Sequence, residues 1–79
     1  MSDSRPLRKT YQEYLGNPLW SILVETVKAI PSYPYHKNYV KTVLLRDNPE
    51  ITPEEVRIRL GIPLGEALVI LYEIAEGLG

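Results

Sequence analysis

The sequence predicts an all-α fold of five short helices, with a helix-turn-helix-like three-helix core in the C-terminal half and a two-helix N-terminal extension. Three observations carry this expectation. Thr52-Pro53-Glu54-Glu55 forms a complete helix-start signal. A broad apolar stripe recurs at helical spacing from Leu19 to Ile30. Helix-breaking residues (Gly16, Asn17-Pro18, Pro31, Asn48-Pro49, Gly61 and Gly77) stand at each expected boundary.

The chain has 79 residues, 44% hydrophobic and 24% charged, which suits one globular domain and not a disordered segment. A chain this short buries only roughly 60% of its unfolded surface, so each large apolar residue counts. Residues 1–79 therefore read as a single domain: a polar, mobile tail over 1–6, a helical extension over 7–30, and the core over 36–76. With no cysteine, disulfides, thiolate metal sites and thiol nucleophiles are excluded. The polar start MSDSRPLRK has no apolar signal region, and no apolar run approaches the ~20 residues of a membrane span, so a cytoplasmic protein with no membrane partner is expected.

In the first helix, Leu7, Tyr11, Tyr14 and Leu15 share one side, and Gly16 ends it. Asn17 caps the second, with Pro18 in its first turn; Leu19, Trp20, Leu23, Val24, Val27 and Ile30 form its stripe, which must be buried against something. Pro31 stops it. The linker PSYPY is expected to be stiff and extended, because each proline restricts the residue before it. The third helix spans His36 to Asp47, with Tyr39, Val40, Val43 and Leu44 inward and Lys37, Asn38, Lys41 and Thr42 outward. Thr52 caps the fourth, Pro53 to Leu60; Pro53 sits where a missing N–H costs nothing, Glu55 completes the capping box, and Ile51 and Val56 are placed for a hydrophobic staple. The alternation in Val56-Arg57-Ile58-Arg59-Leu60 is a strand signature, but the capping box and Gly61 explain both ends of a helix. The fifth helix runs from Leu64 to Glu76.

Residues 38–74 resemble the helix-turn-helix superfamily, winged-helix domains in particular. The parts read VKTVLLRDNPEIT, PEEVRIRLGI and PLGEALVILYEI, and the spacing of Thr52, Val56, Leu60, Gly61, Ile62, Leu68 and Leu71 carries the likeness. The resemblance implies a three-helix core and a nucleic-acid-associated, DNA-binding or transcription-related role, although many domains of this pattern bind no DNA. This sequence departs from it in three ways. Arg57 stands where the family usually has a small residue. No β-hairpin wing follows the last helix. The face that a recognition helix would offer to a groove holds Gly65, Glu66, Val69, Ile70, Glu73 and Glu76, with no cation.

That face is poor for DNA, since phosphate contacts supply most of the affinity and base reading relies mainly on Arg, Lys, Asn and Gln. Leaving Val69 and Ile70 open would also forgo burial worth ~1.5–3 kcal/mol each. The expectation is that the first two helices, or a second copy of the chain, cover the outer side of the last helix.

Two function classes stay open. As a nucleic-acid-associated domain, the protein would make contact through Lys37, Lys41, Arg46, Arg57 and Arg59, with Tyr35 as a ring for stacking on unpaired bases. As a protein-interaction module or homodimer, it would use Trp20, Val69 and Ile70. Residues 1–46 carry a balance of +4 and residues 47–79 one of −5, read either as complementary halves attracting each other or as a basic face for an anionic partner. No enzyme activity, metal, cofactor or small-molecule substrate is expected. His36 is the only histidine, no serine sits in a nucleophile setting, and Gly61-Ile62-Pro63-Leu64-Gly65 lacks the lysine and spacing of a phosphate loop.

Overall fold

The computed structural model describes residues 13–78. The expected tail and residues 7–12 of the first expected helix lie outside them; residues 13–15 are helical. Every regular element among the described residues is a helix. The fold is all-α, and its C-terminal arrangement agrees with the helix-turn-helix-like description.

Helix α1 is Trp20–Lys28. It starts two residues later than Pro18 alone suggests, because Asn17 first makes a tight turn: its side chain accepts the Leu19 N–H at 2.8 Å and its carbonyl the Trp20 N–H at 2.9 Å. Helix α2 begins at Tyr33–Tyr39 and runs on through a π-helical segment, Val40–Leu44, into a last turn, Leu45–Asp47. The expected extended linker is therefore helical from Tyr33. Pro34 falls within the first two helical positions, where it has no partner to lose, so the proline starts the helix and does not hold the chain extended. The π turn holds one residue more than an α turn. Val40 and Leu44 are buried, while Tyr39 and Val43 are open, so the inward set expected for this helix is half corrected.

Helix α3, Pro53–Leu60, follows its local code closely. The Glu55 N–H donates to Thr52 Oγ1 and the Thr52 N–H to Glu55 Oε1, both at 3.2 Å. Ile51 and Val56 are buried, and Gly61 takes φ 65° to turn the chain out of the helix. The period-two pattern here does not make a strand: Val56 is covered and Ile58 is open. Helix α4, Leu64–Ala75, closes with Gly77 at φ 70°, the Leu78 N–H reaching the Glu73 carbonyl and the Gly77 N–H the Ile74 carbonyl, a Schellman cap.

Helix α4 is the hub and packs against α1, α2 and α3. Glu66, Ala67, Leu68, Val69, Ile70, Leu71 and Glu73 are all buried, whereas Leu64 and Ala75 at its two ends are open. Helix α1 comes in so closely that a Cβ on Gly65 would stand 3.1 Å from a Leu23 methyl. Trp20 meets Tyr72 edge-on, ring centres 5.3 Å apart. The outer face of the last helix is thus covered by the same chain, through α1 and α2, which are the second and third of the five expected helices; the first lies largely outside the described residues. Val69 and Ile70 expose nothing and Trp20 is buried, so the interface role given to these three is corrected: they are core. A face that is already covered by its own chain has no apolar area left for a partner.

Candidate functional site

Because α4 is enclosed, its carboxylates must find partners within the fold. Glu73, 2% exposed, accepts from the Tyr33 hydroxyl at 2.7 Å and from Lys37 Nζ at 3.0 Å, both on Oε1, while Lys28 Nζ lies 2.9 Å from Oε2. Burial pushes this carboxyl up, but hydrogen bonds from Lys28, Tyr33 and Lys37, with the charge of Lys37, hold it below its ordinary value. Burial, then the hydrogen bond to Glu73 and the nearby carboxylate charges, drives the Tyr33 phenol well up. Lys37 also donates to the Leu78 carbonyl at 2.6 Å and sits 5.9 Å from the centre of the Tyr33 ring. It therefore ties α2 to the cap that ends α4.

Glu66, 3% exposed, has a different partner: His36 Nδ1 is 2.7 Å from its Oε2. An ionised carboxylate only accepts, so the imidazole donates. Histidine thus joins α2 to the buried side of α4.

These two anchors divide the outer surface of α2. On one flank a groove of about 410 Å³ is lined by Lys28, Lys37 and Lys41, with Pro34 and Asn38 beside them and Glu73 at its floor. On the other a groove of about 480 Å³ is lined by Tyr35, His36, Tyr39 and Arg59, over Leu44 and Leu60. Tyr35 is 78% exposed and Tyr39 44%, one turn apart.

The six residues given to nucleic acid by the sequence do not share one surface. Lys37 and Lys41 line the first groove; Tyr35 and Arg59 line the second. The Lys37 side chain is only 12% exposed and is engaged by Glu73 and Leu78, which leaves it one N–H donor toward the first groove. Arg57 pairs with Glu54 on the surface of α3, and Arg46 is open on the last turn of α2. Sequence reasoning missed Lys28, Tyr39, Glu66 and Glu73 as site residues. The signal for the acids was present: both lie among Val69, Ile70 and other apolar neighbours on a helix that had to be covered.

Among the described residues, no helix is long and apolar enough to cross a membrane. No family model, curated protein or solved structure matches the chain.

Proposed function

We propose that this chain is a small, non-enzymatic, helix-turn-helix-like domain of the cytoplasm that associates with nucleic acid through the outward face of α2, and not through its last helix. One observation carries this reading: Tyr35 and Tyr39 stand open one turn apart with Arg59 across the groove, while Glu66, Val69, Ile70 and Glu73 of α4 are buried. Two exposed rings next to a guanidinium form a platform on which unpaired bases stack, at about 1–3 kcal/mol per base, with the cation near the backbone phosphate. Bases inside a duplex cannot reach such a platform, so the preferred form is a single strand.

Fluorescence anisotropy with labelled single-stranded and duplex DNA, at low and physiological salt, tests this. The single strand binds more tightly, binding falls as salt rises, and Tyr35→Ala or Arg59→Ala weakens it about tenfold. Absence of binding at low salt overturns the proposal. A protein partner is the second reading, supported by Leu19, just before α1, and Ile22 in its first turn, which are 64% and 55% exposed. Sedimentation of wild type against Ile22→Glu, alone and with candidate partners, separates the two.

A further inference from the structure

We infer that the groove between α1 and α2, lined by Lys28, Lys37 and Lys41, is a binding site for a compact phosphate group carrying two or more negative charges. Three ammonium groups from two helices line the groove, against the single carboxylate of Glu73. The lining is left with an excess of two positive charges. A dianionic phosphate matches that excess; a monocarboxylate balances half of it.

The donors needed are present. An ammonium has three N–H donors. Lys37 uses two of its three on Glu73 and Leu78, and Lys28 uses one on Glu73. Lys41 makes no hydrogen bond or ion pair with the described residues, so all three of its donors are open. Glu73 is buried and fixes the Lys28 and Lys37 side chains before any ligand arrives, which lowers the ordering cost of binding. Tyr33 contributes shape alone, because its hydroxyl is taken by Glu73. At about 410 Å³ the groove admits a diphosphate or a phosphate with a group attached. The site lies on the opposite flank of α2 from the Tyr35 groove and does not depend on strand binding there.

The test is calorimetric titration of the full chain with inorganic phosphate, pyrophosphate and tripolyphosphate at constant ionic strength, with acetate as the comparison. Saturable one-site binding is expected, pyrophosphate at least about tenfold tighter than acetate, because charge-assisted hydrogen bonds multiply with ligand charge. Lys41→Ala touches no internal pair, so it keeps the fold by circular dichroism and weakens pyrophosphate about tenfold, while Lys41→Arg retains binding. An oligonucleotide with a 5′-phosphate, set against its 5′-hydroxyl twin, identifies the source. Preference for the phosphorylated strand, lost with pyrophosphate present, shows a strand end; equal binding of the twins with retained pyrophosphate affinity shows a free phosphate. Tyr35→Ala leaves pyrophosphate binding unchanged, so failure of the strand proposal is distinguishable from failure of this one. Non-saturable binding, or full affinity in a folded Lys41→Ala protein, overturns it.

Discussion

Glu66 and Glu73 stand two turns apart on the same helix and are buried to the same degree, yet the fold holds them in opposite ways. Glu73 has three donors from two helices, two of them permanent charges. Among the described residues Glu66 has one imidazole, itself partly open to solvent. The first arrangement tolerates the loss of any one partner; the second does not. What a buried carboxylate contributes therefore depends less on its depth than on how many donors share it.

The largest expected effect follows from removing the shared acceptor. Glu73→Ala leaves Lys37 and Tyr33 facing each other without the carboxylate, and is expected to cost about 3 kcal/mol in urea unfolding, the range for breaking a buried charged network. The same site sets the pH dependence. Glu73 is held below its ordinary value of 4.5, so its contribution is present above that value and is lost as pH falls toward the lower folded one. Tyr33 is displaced upward from 10.0, so its contribution is present below that pH and fades as pH rises above it. Stability measured against pH should accordingly fall on both limbs. Glu73→Gln should flatten the acid limb and Tyr33→Phe the alkaline one; unchanged limbs in both variants would break the account of this cluster.

The two carboxylates also show what could be read in the sequence. The capping box at Thr52 and the stop at Gly61 depend on residues near in the chain, and they were legible, as was the stripe of α1 apart from Leu19, which is open. So was the closure of the last helix, since acids and β-branched residues side by side on one face demand a cover. The charge split between the two halves was legible as well: His36, Lys28 and Lys37 from the basic half meet Glu66 and Glu73 from the acidic half. The partners themselves were not, because each pair joins residues some 30 to 45 positions apart, and composition does not fix which side of α2 turns inward. The π segment, which puts Tyr39 at the surface and Val40 and Leu44 beneath, leaves no recognisable local signature in VKTVL.

The contrast is sharpened by deleting single donors. His36→Ala leaves Glu66 buried with no partner from α2 and is expected to cost about 2 kcal/mol, the penalty for an orphaned buried acceptor. Lys28→Ala leaves Glu73 with Lys37 and Tyr33, and Lys28 is half exposed, so less than about 1 kcal/mol is expected. The double variant His36→Leu with Glu66→Leu should recover most of the loss, because both polar groups are then gone. If Lys28→Ala proves more damaging than His36→Ala, the argument from shared donors fails.

The smallest effect lies outside both clusters and serves as their control. Glu54 and Arg57 form an ion pair one turn apart on the open surface of α3. Their mutual hydrogen bond, and then their charges, lower the Glu54 carboxyl and raise the Arg57 guanidinium. Both groups remain in water, where such shifts reflect pairing that solvent and salt largely replace. Arg57→Ala should therefore leave the urea midpoint unchanged within error, at low and at high salt alike. A clear loss would mean that the Arg57 stem covers apolar surface between α3 and α4. Arg57→Met, which keeps the stem without the charge, would then restore stability and assign the effect to packing. Either result bears on how Arg57 sits on α3: its charge faces Glu54 and water, and only the carbon chain has to fit against the fold.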